Sequence, residues 1–323
     1  MIDFCILGSG LSGSTIANLL HKKYLVEIID KAKGVGGRSS NKKVNKSISF
    51  DHGLQYYSPK GKRFKKFLNI LLKNKVLKIW DGVHLDLTFK KRSNSSKIIG
   101  VKGNNDLNKH LLYKIKKNLG CEILNIKFQK THWEIFSKDK KFEAKNIIIT
   151  FPFEQTKKLA KKYLDHSFLD LKIKMTPNIT LLLKQKTKSK IPISSIMLNN
   201  QKIAWIANEN SKKRFNSDDY YWTIQTTARY SNKIINSYKN KKKIYSKQIA
   251  KEFSKIIGVR NKNLKLFKIH GWKYSYNEYR TKQKCYWSKK FKLGICGDWF
   301  IGPNAESSWE SAHALFNKIK KPV

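Results

Sequence analysis

The feature that most constrains this chain is Gly8-Ser-Gly10-Leu-Ser-Gly13, set directly behind the apolar run Ile2–Leu7. At such a spacing the first glycine permits a tight turn, the second lets the backbone approach a pyrophosphate, and the third lets a helix pack close on a strand. Ser14–Lys23 then keeps Ile16, Ala17, Leu19 and Leu20 at helical spacing, and Tyr24–Ile29 reads as a second strand ending at Asp30. This strand–turn–helix–strand unit aims a helix N-terminus, with its free amides and positive dipole end, at bound phosphates. Asp30 falls 20 residues after Gly10, where a carboxylate accepts hydrogen bonds from ribose hydroxyls and repels a 2′-phosphate. A glycine triple alone also suits an ordinary turn. In this context it reads as a dinucleotide site contacted by Gly8, Ser9, Gly10, Leu11, Ser12, Gly13, Asp30 and Lys31.

Three further motifs carry chemistry. Gly36-Gly37-Arg38 follows Asp30 closely; alone it is a loop with two turn glycines, but here Gly37 allows close approach and Arg38 can fork onto a phosphate. Flavoproteins that bury an extended FAD commonly have this second element. Phe50-Asp51-His52-Gly53-Leu54-Gln55-Tyr56-Tyr57-Ser58 holds a potential acid–base pair. The plainer reading makes Asp51 and His52 turn organisers, with Gln55 and Tyr56 near a ring. Finally, the apolar strand ending in Gly297-Asp298 precedes a helix starting near Ala305–Glu306. Asp298 can hydrogen-bond a ribityl hydroxyl, and the helix start can face negative charge on flavin N1/O2. Its alternative is an ordinary strand–turn–helix with an Asp turn residue.

The expected fold class is α/β: a Rossmann-like FAD-binding domain assembled from discontinuous segments, with an inserted α+β mixed-sheet substrate domain. The division is 1–58, 98–160 and 288–323 for the first, and 59–97 and 161–287 for the second. Helices are expected at Lys62–Lys78, Asp106–Asn118, Glu154–Leu164, within Ser231–Ile257, and at Ala305–Lys320. Antiparallel strands are expected at Glu122–Phe128 and Thr131–Phe136, and a buried parallel strand at Asn146–Phe151. Ile179–Lys184, Ser195–Leu198, Ile203–Asn208, Tyr221–Thr227 and Leu264–Trp272 are spaced like strands of a mixed sheet.

Composition sets the outer limits. The 323 residues carry 68 Lys+Arg against 22 Asp+Glu, a formal charge of +46. Nucleic acid or an anionic surface is the first thought. Yet only seven of the 68 are Arg, the residue that best reads phosphate and bases, and Lys, Asn and Ile share A/T-rich codons. Compositional bias is therefore the preferred account, with a positive field that favours anionic small substrates. Cys5, Cys121, Cys285 and Cys296 form no C-x-x-C pair and have no histidine cluster, so buried reduced thiols, no metal site and a cytoplasmic location are expected. No run of about 18 apolar residues exists to span a membrane. The glycine motif begins so early that a targeting segment has no room unless it was removed beforehand.

Together the motifs resemble the FAD-binding amine oxidase superfamily, and their combination resembles the renalase family. Gly100-Val-Lys-Gly103, Ile203-Ala-Trp-Ile-Ala with Ser211-Lys212, Trp222-Thr-Ile-Gln225 and His270-Gly-Trp272-Lys-Tyr274 carry the likeness through the middle of the chain. The chain departs from the pattern at Lys213-Arg214, at Asn104-Asn105 and at Ser307-Ser308, where proline and glycine, a methionine and a small glycine would be usual. The resemblance implies non-covalent FAD and a substrate such as the misreduced dihydro isomers of NAD(P). Hydride would pass to flavin N5, and O2 would give H2O2. Tyr57, Trp222, His270, Trp272 and Tyr274 are the pocket candidates, although aromatics at strand spacing are usually core and the plainer reading of His270 is a satisfied strand-end histidine. An FAD amine oxidase is the alternative enzyme. A nucleic-acid-binding flavoprotein, with Lys239–Lys243, Lys212–Arg214 and Lys289-Lys290 as its footprint, is the alternative of another class, and an inactive flavin binder a third.

Overall fold

The computed structural model describes residues 1–45, 47–87, 91–93, 97–186, 191–277 and 279–320. The end of the expected first domain, 321–323, lies outside the described residues.

The strand Ile2–Leu7 is flanked in parallel by Val26–Asp30 on one side and Lys141–Ile149 on the other. Lys116–Leu119 extends the layer beyond Val26–Asp30, and Leu293–Ile295 extends it beyond Ile147–Ile149. The near-continuous apolar runs Phe-Cys-Ile-Leu and Asn-Ile-Ile-Ile suit strands covered on both faces. One face packs on Ile16, Ala17 and Leu20 of the helix Leu11–Leu20 and on Ala312 and Leu315 of the helix Ala305–Lys320. The other packs on Trp133, Phe153, Phe168, Trp299 and Phe300. The antiparallel hairpin Ile123–Gln129 and His132–Ser137 joins the outer half of Lys141–Ile149.

The second sheet has seven strands, in the order Leu264–Asn277, Met175–Gln185, Tyr220–Thr226, Ile203–Asn208, Ile193–Met197, Val83–Asp86 and Lys91–Ser93. The helices Ala228–Ile234 and Lys242–Ile257 back one face, Ile249 and Phe253 packing over Ile179, Leu181, Trp222 and Ile224. The opposite face carries Tyr221, Thr223 and Gln225, the alternate positions of the same strand. That face turns toward the first layer. No helix among the described residues is long and apolar enough to cross a membrane.

Two helices expected from periodicity are cut short. The helix from Asp106 ends at Leu111, and Lys116–Leu119 is an edge strand. Lys116 and Asn118 there bond Glu27 of the neighbouring strand at 2.9 Å each, so sheet pairing overrides local helix spacing. The helix Lys62–Lys73 stops before Lys75, which adopts φ 55°, and Leu77–Trp80 pairs with Lys97–Gly100. Residues 164–173, placed by the sequence in the inserted unit, contribute Leu164, Phe168, Leu171 and Ile173 to the core of the first layer. Tyr286–Ser288 likewise pairs with Leu293–Ile295.

Candidate functional site

At the glycine-rich turn, a Cβ on Gly13 would lie 1.9 Å from the Gly8 carbonyl oxygen, so helix and turn meet backbone to backbone. Gly10 differs: nothing lies within 4 Å of where its Cβ would stand. Gly10 also caps the ten-residue helix Leu11–Leu20, whose N-terminus has no side-chain cap and no acidic residue in its first turn. Gly37, at φ 51°, brings the second loop to within 3.1 Å of Gly10 Cα, measured from its own Cβ position. The result is an open concave backbone surface beside unpaired helix amides, the arrangement that binds phosphate.

Asp30 shapes this turn from below. Its Oδ2 accepts from Ser9 N and Ser9 Oγ at 2.7 and 2.6 Å, and its Oδ1 accepts from Ala32 N at 2.8 Å. Ser9 is fully buried, Ser12 Oγ donates to the Ser308 carbonyl at 3.1 Å, and Leu11 sits in an apolar cluster with Tyr57 and Trp309. Of this expected contact set, Lys31 is turned outward, 3.7 Å from the exposed Glu122.

Arg38 and Asp298 do not take separate partners as expected; they face each other. Arg38 Nη1 donates to Asp298 Oδ2 at 2.7 Å and Nη2 to Oδ1 at 2.5 Å, while Nη1 also reaches the Ser275 carbonyl. Asp298 is buried at the turn after the Leu293–Ile295 strand, and a buried carboxylate needs a counter-charge, which the forked guanidinium supplies. Glu306 is also engaged elsewhere. Its carboxylate accepts from Lys60 N and Gly61 N at 2.7 Å each, and Asn304 Oδ1 accepts from Ser307 N at 2.8 Å.

The pocket candidates divide by burial. Tyr57 is fully buried and its hydroxyl donates to the Asn104 carbonyl at 2.5 Å, so it is core. Trp222 points to the helix-covered face, where Nε1 donates to Gln185 Oε1 at 2.9 Å and the ring meets Phe253. It cannot wall a site between the sheets, because strand alternation sends it the other way. Tyr274 packs against the first-layer core. His270 and Trp272 remain together. They stand two apart on Leu264–Asn277, with ring centroids 4.4 Å apart, and both lie 5.2 Å from the His52 ring. His270 is therefore a mid-strand residue rather than a strand-end one. Trp272 Nε1 donates to the His52 carbonyl at 3.0 Å, and Gln225 Nε2 donates to the Gly53 carbonyl at 2.6 Å. Burial first, then the neighbouring His270 and Lys268, pushes the His52 imidazole down to about 4; burial first, then Lys268, does the same for His270. The wall is thus neutral and aromatic at neutral pH.

The sequence did not reveal the buried ion cluster beneath this wall. Asp51 and Lys212 side chains are 0% exposed, Glu209 1% and Arg214 3%. Lys212 Nζ lies 2.9 Å from Asp51 Oδ2 and 3.0 Å from Glu209 Oε1, and Arg214 Nη1 lies 2.5 Å from Asp51 Oδ2. Asp51 Oδ1 also accepts from Asn41 Nδ2 and Asn104 N at 3.0 Å. Although burial opposes it, Arg214 and Lys212 hold the Asp51 carboxyl well below the usual range; burial pushes Glu209 up. Gln55 and Tyr56 belong to the same turn. Gln55 Nε2 donates to the Asp51 and Gly53 carbonyls, and Tyr56 packs on Trp205 beneath Lys97. Ser211-Lys212 stood out in the sequence only as part of a family-like segment, and nothing local to it announces that the Lys212 side chain is buried against Asp51 and Glu209.

Two concavities, of about 610 and 360 Å³, lie away from the glycine turn and share Leu171, Lys172 and Ile173.

Residues 6–71 match the family described as NAD(P)-binding Rossmann-like domain. The whole chain is similar in fold to an Exiguobacterium sp. 255-15 protein named as a protoporphyrinogen oxidase, with TM-score 0.73, 10% identity and 98% of each chain covered. A cofactor-binding redesign of putrescine oxidase gives TM-score 0.71 at 10% identity, again over 98% of each chain. Cyclohexylamine oxidase from Brevibacterium oxydans IH-35A gives 0.67 at 9% identity, over 99% of this chain and 100% of that one. At such identities the likeness is one of fold: a Rossmann-like layer joined to a mixed sheet.

Proposed function

We propose that this chain is an FAD-dependent oxidoreductase with non-covalent cofactor, and that it is renalase-like, oxidising a dihydronicotinamide-type substrate with O2 as acceptor. The observation that carries the reading is the open space at Gly10, with Gly37 against it, beside the uncapped Leu11–Leu20 helix; the Arg38 loop that follows Gly37 meets Gly53, whose Cβ position lies 3.2 Å from the Trp272 ring. The residues present fit the cofactor. The helix amides and Gly10 would hold the diphosphate, and Asp30, already fixed by Ser9, keeps lone pairs for ribose hydroxyls. Arg38 and Asp298 would meet the cofactor as a pair rather than singly. Non-covalent attachment agrees with thiols that are buried at Cys5, Cys285 and Cys296 and half-buried at Cys121; burial pushes the Cys5 and Cys296 thiols up.

When bound, FAD would supply the hydride acceptor, with O2 and a proton as the route to H2O2. The chain's own residues then have three tasks. The cradle binds and orients. Trp272 and the two imidazoles, with His270 packed edge to face against the other two rings, offer a neutral aromatic surface to a substrate ring. The sheets on either side exclude water. No proton need be held at a catalytic base. We further propose that the parallel layer with residues 164–173 and 286–320 forms the cofactor domain, and that the seven-stranded sheet forms the substrate domain.

The fold shared with putrescine oxidase and cyclohexylamine oxidase favours a second reading, an amine oxidase. The test is anaerobic mixing of the purified holoprotein with a misreduced dihydro-NAD(P) isomer, and separately with a panel of amines, following flavin absorbance by stopped flow. Bleaching by the dihydronicotinamide alone supports the renalase-like reading. Bleaching by an amine alone replaces it with the second. A chain that FAD cannot reconstitute overturns both.

A further inference from the structure

We propose that Lys212, together with Arg214, is a positioning residue that acts as a buried ionic lock, through which the second sheet fixes the His52–Gln55 turn against the Arg38 loop. The inference rests on the cofactor reading only for what that turn would serve; the lock itself is a property of the chain.

The Lys212 ammonium has three protons and three acceptors around it: Asp51 Oδ2 at 2.9 Å, Glu209 Oε1 at 3.0 Å and Gln55 Oε1 at 3.4 Å. It also stands 5.1 Å from the centre of the Trp80 ring. Glu209 is held in turn by Thr223 Oγ1 at 2.6 Å. Two cations and two carboxylates are thus enclosed together, and none can be removed without leaving a buried charge uncompensated.

Such a cluster is a poor way to gain stability, since apolar side chains of similar volume usually serve as well or better. What it provides is direction. Lys212 and Arg214 follow the Ile203–Asn208 strand, whereas Asp51 ends the strand Ser49–Asp51 that runs into the turn and Gln55 closes the turn. Gln55, oriented by Lys212 through its oxygen, uses its nitrogen on the Asp51 and Gly53 carbonyls. Gln225 takes the Gly53 carbonyl and Trp272 the His52 carbonyl from the same sheet. From the other side, Leu54 N donates to the Arg38 carbonyl at 2.7 Å, and a Cβ on Gly53 would lie 2.0 Å from that oxygen. Arg214 ties in the Gly100 carbonyl and Asn104, whose own Nδ2 holds the Leu54 carbonyl at 2.7 Å. The turn is clamped from both layers, and among the described residues Lys212 is the one cation that touches both carboxylates and the glutamine.

The test is hydrogen exchange by mass spectrometry on the full chain, comparing wild type, Lys212→Met, Lys212→Arg, and Lys184→Met as a control at the Lys184–Asp219 pair. Exchange in a peptide covering residues 52–57 should rise at least tenfold in Lys212→Met, with Ile2–Leu7 unchanged, recovery in Lys212→Arg, and no effect of Lys184→Met. Unchanged protection of 52–57 in folded Lys212→Met would overturn the lock, as would a loss spread evenly through Ile2–Leu7. Should Lys212→Met fail to fold, Gln55→Leu cuts the relay without stranding a charge. It must loosen 52–54 alone, and equal protection there sinks the proposal. Failure of the wild type to take up FAD defeats the cofactor reading and leaves the exchange comparison intact.

Discussion

Gly10 and Gly13 sit three residues apart in one motif, yet the structure gives them different duties. A methyl group on Gly13 meets the Gly8 carbonyl at 1.9 Å, whereas one on Gly10 meets nothing within 4 Å. Gly13→Ala should therefore cost about 2–3 kcal/mol of stability, visible as a lower midpoint in urea. Gly10→Ala should leave that midpoint within about 0.5 kcal/mol while weakening FAD binding at least tenfold in a fluorescence titration. Equal stability losses would show that Gly10 is structural too. The histidines supply a second prediction. His52, His270 and His313 are each pushed down to about 4, largely by burial, so the unfolded chain binds protons that the native chain refuses. Their contribution is present in full above the ordinary histidine value and is lost as pH falls toward 4. Urea melts between pH 7.5 and 4.5 should show stability falling as pH drops, by at most roughly 2 kcal/mol by pH 5 from the buried His52 and by less from each of the half-buried His270 and His313. His52→Phe should flatten that slope, and an unchanged slope would refute the assignment to His52. These residues also mark how much the sequence disclosed. Glycines and Asp30 were legible because their reasons lie in the backbone at short range. Tyr57 and Trp222 were not, because which face an aromatic takes depends on a register set by distant strands.

At the scale of elements, the ends of the chain were the easiest to read. The strand, turn and helix of residues 2–20 and the helix Ala305–Lys320 carry continuous apolar patterns with clear starts. Lys116–Leu119 was misread as helix because its strand character comes from the open edge of Val26–Asp30, which no local pattern announces. Glu306 shows the same principle. Expected to face a cofactor from the first turn of its helix, it instead accepts both the Lys60 and Gly61 amides and fixes the entry to Lys62–Lys73. Neither Lys62–Lys73 nor its Gly61 cap supplies a side-chain acceptor of its own. Glu306→Ala should then cost roughly 1–3 kcal/mol and increase exchange at 60–64, with Glu306→Gln between it and wild type. A change confined to flavin absorbance, with the helix start unaffected, would return Glu306 to the cofactor.

For the whole molecule the question is what a formal charge of +46 does. The structure removes Lys212 and Arg214 from any nucleic-acid footprint, since both are buried against Asp51. Lys239, Lys241–Lys243 and Lys289-Lys290 stay exposed, but on separate elements, the first group at and before the start of the helix Lys242–Ile257 and the second just before Leu293–Ile295. A dedicated groove neutralising several phosphates would give steep salt dependence with useful affinity near physiological salt. Scattered lysines give only weak, diffuse attraction, so a fluorescent DNA duplex should show no saturable binding tighter than about 1 μM at roughly 0.15 M salt. On the proposed reading the same field acts differently on a small anionic substrate, which a diffuse potential can draw in without a dedicated groove. Its kcat/KM should fall on the order of tenfold between about 0.01 and 0.5 M salt, as the screening length shrinks from roughly 30 Å to a few ångströms. A neutral substrate fragment lacking phosphates should show a flat profile, and kcat at saturation should not change for either. Parallel salt profiles for the charged and neutral substrates would mean that the charge plays no part in capture, leaving codon composition as its whole explanation.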